Sequence, residues 1–181
     1  QTPIAYIPLA LVANPAAGVG SLTTADVRRI FEGSVGSWAA VGGKDVPLVR
    51  FDRPRGSAID RLASAVLHLV AKRRRDRIDD TSAATLDDVR ATPGGVGIVV
   101  LPYAGDLSAV RVLAIDGHAP DVDGIRAGYP LLNTELAITA GTPALGISRF
   151  VAYARSATAA WRAASLIPIR DVPTPAPAPR G

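Results

Sequence analysis

The chain has 181 residues, 48% of them hydrophobic and 20% charged, a formal net charge of +4, and no cysteine. This length can bury a real core, the composition is not that of a disordered chain, and disulfides and thiolate metal sites are excluded. No apolar run reaches the roughly 18 residues that a bilayer-crossing helix needs, and the basic balance rests on arginine, since lysine occurs only at Lys44 and Lys72.

In chain order, residues 4–13 form an apolar run too long for an alternating strand. It suits a strand buried on both faces, or one crossing between two lobes. Asn14-Pro15 stops it. Thr23 with Asp26 then forms a capping box for a helix reaching Phe31, with Val27, Ile30 and Phe31 on one face and Gly33 as its end. Trp38, in a Gly/Ser-rich loop, reads as a satellite core residue rather than an aromatic that stacks on a ligand.

Residues 46–51 are β-like, and Arg53-Pro54-Arg55-Gly56-Ser57-Ala58-Ile59-Asp60-Arg61 follows them. A strand, a turn and a helix start offer free backbone N–H groups and a positive dipole end to an anion. Ser57 with Asp60 is equally a capping box that satisfies the helix's own first N–H groups, and the residues alone leave both readings open.

The apolar periodicity of residues 59–71 predicts a long helix. Lys72-Arg73-Arg74-Arg75-Asp76-Arg77 then falls where cations favour the helix dipole and reads as a solvated helix end. No aromatics are interleaved for stacking, so no nucleic-acid partner is expected. Residues 82–90 form a short helix capped at Thr81 or Ser82, and residues 96–101, 110–115 and 131–139 are strands. Residues 144–165 form the last long helix, and residues 168–181 read as an extended Pro/Ala tail.

Catalysis finds little support. His68 and His118 are far apart, and Asp116, Asp121 and Asp123 stand among Gly117, Pro120 and Gly124, as turn residues do. As a loose Ca²⁺ loop their spacing lacks the regular oxygen ligands of an EF-hand, and no nucleophile elbow, Walker loop or H-E-x-x-H motif is present. The expectation is a protein that is not an enzyme, with no cofactor and no metal.

Six segments in order resemble one family, the extracytoplasmic phosphate-binding proteins of ABC transporters. They are Ala13-Asn14-Pro15; Leu22-Thr23-Thr24 through Ile30-Phe31-Glu32-Gly33 with Trp38; the turn from Arg53 to Ile59; Pro93-Gly94-Gly95-Val96-Gly97; Ile115-Asp116-Gly117-His118-Ala119-Pro120; and Gly128-Tyr129-Pro130-Leu131. The resemblance spans roughly residues 4–156. It implies an α/β chain of the type II periplasmic-binding-protein-like fold, in which two lobes clasp a small ligand in a hinged cleft. Residues 10–128 would be one complete α/β lobe. Residues 1–9 and 129–166 would be the hinge crossings and a partial first lobe, and 167–181 the tail. The family's opening βαβ segment has no counterpart here, so a missing N-terminal segment or a partner chain is expected to complete that lobe.

The resemblance further implies an extracytoplasmic, non-catalytic binding domain for phosphate or a related oxyanion, in uptake or sensing, with an ABC permease as partner. The ligand would lie on Arg53, Gly56, Ser57, Ala58 and Ile59. Arg53, Gly56 and Ser57 match the family's R-S-D-G-S-G-T turn, whereas Arg55, Ala58 and Ile59 replace its acidic residue, second glycine and threonine. Asp60, if it caps the helix, puts a carboxylate where the anion would sit. Each lost hydrogen bond to a charged ligand is worth about 1.5–3 kcal/mol, so weak binding is expected. The alternative is a degenerate binding-protein fold serving as an interaction or sensor module without a small ligand.

Overall fold

The computed structural model describes residues 2–69, 73–138 and 145–172. One long strand, β1 (Thr2–Ala13), organises the molecule. Its C-terminal half pairs antiparallel with β5 (Gly95–Val100), Leu9 opposite Val100, and with β6 (Arg111–Ile115), Leu11 opposite Leu113. Its N-terminal half pairs instead with β7 (Leu132–Ile138) and with β8 (Ile167–Pro168). Outward from β5 the sheet continues through β3 (Val49–Asp52), parallel to β5, to β4 (Arg77–Ile78). On the other side, β2 (Ser21–Leu22) lies parallel to β6. The fold is a mixed α/β sheet with helices on both faces.

Two covered faces explain why β1 is apolar from Ile4 to Ala13. Leu9, Leu11 and Ala13 point into a core with Val27, Ile30 and Phe31 of α1 (Thr24–Glu32) and Ile59 and Ala63 of α2 (Ala58–Val66). Ala10 and Val12 point the other way, onto Leu86 and Val89 of α3 (Ser82–Ala91). Fully burying one such side chain contributes about 1.5–3 kcal/mol. Asn14 fixes the exit of the strand: its amide donates to the Val89 and Arg90 carbonyls while its oxygen accepts from Ala16 N. Trp38 is fully buried, its indole N–H donating to the Gly94 carbonyl at 2.9 Å, as a core residue should.

Three expectations need correction. First, α2 ends at Val66, with His68 in the left-handed region (φ 50°) and the chain turning back. Residues 73–79 therefore do not finish a helix. They run along the sheet edge, with Asp76 N donating to the Arg50 carbonyl and Asp79 N to that of Asp52. Val70 and Lys72 lie outside the described residues. Second, the last helix is two, α5 (Leu145–Ser156) and α6 (Thr158–Ala163). The Trp161 indole takes the Ala154 carbonyl at 2.7 Å, the acceptor that Thr158 N would need in an unbroken helix. Third, the tail starts later than residue 167. Ile167 and Pro168 pair with β1, and Ile169 and Val172 are buried; residues 173–181 lie outside the described set.

The register also places the candidate site. Because β3 is parallel to β5, the C-terminal ends of both strands lie at one end of the sheet. Because β1 is antiparallel to β5, Leu9 and the change of pairing partners lie at that same end. The turn after β3 thus stands at the end of the sheet from which β1 continues toward β7 and β8. α4 (Val122–Arg126) completes the helices, capped by Asp121, whose carboxylate accepts from Gly124 N at 2.7 Å.

Candidate functional site

Asp52 ends β3 and the chain turns through residues 53–57 into α2. Gly56 carries φ 81°, where a side chain would be strained. Ser57 is the N-cap, its hydroxyl accepting from Asp60 N at 3.2 Å, and its own N–H donates to the Pro54 carbonyl. In the usual capping box the third helical residue reaches back to the N-cap N–H. Here Asp60 reaches one residue further, accepting from Gly56 N at 2.7 Å. The N–H groups of Ala58 and Ile59 meet no acceptor among the described residues, as expected for the first two positions of a helix.

The five residues singled out in the sequence are thus brought together, with two qualifications. Arg53 turns away: its guanidinium donates to the Asp80 carbonyl, so only its main chain, donating to Asp52 Oδ1 at 2.8 Å, stays near the turn. Ile59, which stands where the family's turn has threonine, keeps its side chain out of the mouth. That side chain is 8% exposed and packs in the core, so Ile59 offers the mouth its N–H alone.

The cations at this mouth come from elsewhere, out of the run expected to be a solvated helix end. Arg73 and Arg75 lean over the turn. Arg73 Nη1 lies 3.3 Å from Asp60 Oδ1 and also meets the Asp60 carbonyl and the Ser64 hydroxyl. Arg75 Nη2 is 2.5 Å from the same Asp60 oxygen. Both guanidinium groups also pair with Asp52, Arg73 Nε at 2.5 Å and Arg75 Nε at 3.2 Å from its Oδ2. Arg73 lies 5.2 Å above the Phe31 ring and its side chain is only 5% exposed. No local pattern marks this meeting; the one signal was an unusually dense arginine run beginning 13 residues beyond the capping-box aspartate.

The electrostatics follow from the geometry. Burial pushes the Asp60 carboxyl up, but the Gly56 N–H, Arg75 and Arg73 together outweigh it and hold it below the usual range. For Asp52, burial wins over the pull of Arg73, the Arg53 N–H and Arg75, and the carboxyl is raised. Burial likewise lowers Arg73 against the opposing carboxylates. Two aspartates and two arginines balance in charge.

A separate cleft of about 420 Å³ opens at the same end of the sheet, lined by Ile7, Leu101, Tyr103, Ala163, Ser165 and Leu166 among others. No residue of the 53–59 turn lines it. Asp116, Asp121 and Asp123 do not converge, and no group of three or more His, Cys, Asp or Glu that could hold a metal occurs among the described residues. Asp116 instead caps α1, accepting from Thr24 N at 2.9 Å and from the Thr24 hydroxyl at 2.6 Å.

Comparison with known proteins bears on the family and the fold. A phosphate-binding protein, PstS of Bacillus subtilis, is 30% identical over 156 residues, which cover 84% of this chain and 51% of the relative. The chain therefore spans about half the length of the curated relative it matches. Among solved structures, PstS from Borrelia burgdorferi superposes with a TM-score of 0.74 at 19% identity, over 92% of this chain and 71% of that one. An ABC-type phosphate transport receptor from Vibrio cholerae gives 0.70 at 20% identity, over 90% and 70%. The model of the PBP superfamily domain matches residues 1–158, and the chain belongs to that superfamily, with the fold of its phosphate-binding proteins.

Proposed function

We propose that the chain is an oxyanion-binding domain of an extracytoplasmic solute-binding protein, acting without catalysis in uptake or sensing of phosphate or a related anion. The observation that carries this is the 53–59 turn. A chain of this superfamily keeps Arg53, Gly56 and Ser57 at a strand–turn–helix start, with the Ala58 and Ile59 N–H groups open and two largely covered arginines, Arg73 and Arg75, beside them. The names of its relatives, a phosphate-binding protein and a phosphate transport receptor, support phosphate as the anion and an ABC permease as partner. The same relatives support an extracytoplasmic location; no helix among the described residues is long and apolar enough to cross a membrane. In this reading residues 10–128 are one lobe, and 1–9 with 129–166 are the crossings and part of the other.

The test uses proline chemistry. Ala58 is exposed, at the first helical position, and Ser57 before it has ψ 161°, which a following proline tolerates. Ala58→Pro deletes one mouth N–H without disturbing the helix. Calorimetric titration with inorganic phosphate is expected to show weak saturable binding to the parent chain, weakened several-fold in Ala58→Pro at equal thermal stability. Absence of binding to the folded parent would overturn the reading.

One observation favours the second reading, an interaction module without a small ligand: the Asp60 carboxylate already sits on the Gly56 N–H. On α5, Phe150 and Tyr153, one turn apart, are 57% and 68% exposed, a face that suits a partner chain, including a second copy. Light scattering coupled to size exclusion at micromolar concentration tests this: self-association that Phe150→Ser with Tyr153→Ser abolishes supports it, and a clean monomer removes the second copy.

A further inference from the structure

Asp60 is 6% exposed, and its carboxylate accepts from donors in two separate segments: the Gly56 N–H from the turn, and Arg73 and Arg75 from the returning edge. A capping carboxylate needs no such company. Asp26, at the same position of α1, has among the described residues only the Thr23 hydroxyl at 2.7 Å and Arg29 of its own helix at 3.1 Å. Donors converging from several directions on one carboxylate make an anion site, already occupied by an anion the chain carries itself. Next to it are two further N–H groups, of Ala58 and Ile59, that the carboxylate does not use.

We propose that Asp60 is a tethered anion filling an oxyanion site whose cationic walls are Arg73 and Arg75, so that a free tetrahedral oxyanion enters only by displacing this carboxylate. This rests on the oxyanion reading above and adds its cationic residues and its built-in competitor. Displacement is chemically balanced. The incoming anion takes the Arg73, Arg75 and Gly56 donors, and the released carboxylate is solvated at the surface. Arg73 and Arg75 stay paired with Asp52 through their Nε atoms, so the walls remain held when the occupant changes. Arg53, the arginine the sequence motif points to, is not required for the contact.

The experiment removes the tether. Asp60→Gly deletes the carboxylate and leaves the donors around an empty, net-positive site; Asp60→Asn keeps the shape and deletes only the charge. Thermal unfolding of each is measured in chloride, sulfate and inorganic phosphate at matched ionic strength, with phosphate affinity by calorimetry. Both variants should unfold at lower temperature than the parent in chloride and recover in millimolar sulfate or phosphate, while the parent shows no anion-specific recovery. Phosphate affinity should rise at least tenfold in Asp60→Gly and less in Asp60→Asn, and Arg75→Gln on either background should cancel the gain. Equal affinity in parent and variants would overturn the tether while sparing the oxyanion reading. Binding only by the variants would keep the tether and overturn that reading for the natural chain. No anion response in a folded Asp60→Asn chain overturns the tether outright.

Discussion

The mouths of α1 and α2 are the same sequence pattern put to two uses. Each opens with a hydroxyl residue followed three positions later by aspartate, Thr23 with Asp26 and Ser57 with Asp60, and each hydroxyl accepts from the aspartate's N–H, at 3.1 and 3.2 Å. Beyond that they diverge. At α1 the aspartate turns to its own Thr23 and Arg29 at the surface, and the first helical N–H is closed by a remote carboxylate, Asp116. At α2 the aspartate is buried under two remote arginines and the first two N–H groups are left open. One mouth is a closed cap and the other is the proposed anion cradle. The difference lies in what the rest of the chain brings to the helix.

The largest expected effect comes from removing the wall of the cradle. Arg73→Met leaves Asp52 and Asp60 buried with half their compensation, and breaking a buried pair this way costs about 3–5 kcal/mol. The matching change at α1, Arg29→Met, touches an exposed i, i+3 pair and should cost less than about 0.5 kcal/mol. Urea unfolding of the two variants measures the contrast; equal losses would show that the two mouths are energetically alike. Next in size are the caps. Thr23→Ala and Ser57→Ala should each cost about 1 kcal/mol. Asp116→Ala should cost more than Thr23→Ala, because it frees the Thr24 N–H and also puts alanine in the left-handed region, φ 53°. Combined with Thr23→Ala it should be non-additive, since both act on one helix start.

Much of the scaffold was legible. The helix starts at Thr23, Ser57 and Thr81, the apolar run of β1 and the strands around residues 96–101 and 110–115 follow from local chemistry that the tertiary structure leaves intact. The turn of the candidate site was legible for the same reason. Its cationic walls were not. Arg73 and Arg75 reach Asp60 because α2 stops at Val66 and the chain folds back along β3, and apolar periodicity carried past Leu67 gives no sign of that stop. The break between α5 and α6 was hidden likewise, since it depends on one indole taking the Ala154 carbonyl. Arg50, 1% exposed and bound to Asp76 and to the Ile30 and Val35 carbonyls, reads in sequence as an ordinary strand-edge charge.

The smallest expected effect concerns why Arg53 is not in the cradle. Its guanidinium is held at the Asp80 carbonyl, in the field of Asp79, whose carboxyl is raised by burial and then by neighbouring Asp88, against the Thr85 hydroxyl and Arg53. Asp79 and Asp60 therefore titrate with opposite sign. Asp79 has a folded pKa above its unfolded value, so its ionised form is penalised in the folded chain at neutral pH, and the penalty disappears as pH falls through the folded pKa toward 3.8. Asp60 has a folded pKa below 3.8, so its contribution is fully present above that value and is lost only as pH falls further. Asp79→Asn should thus stabilise the chain at pH 7, by about 1 kcal/mol at most, with the advantage shrinking toward pH 4. Asp60→Asn should destabilise at pH 7, with the deficit closing only below pH 3.8. Urea midpoints for both variants and the parent between pH 3 and pH 7 decide it. An Asp79→Asn deficit at pH 7 that closes on acidification would mean that Asp79 is a stabilising partner of Arg53 and not a strained neighbour, and that its carboxylate, with the Asp80 carbonyl, holds this arginine out of the mouth.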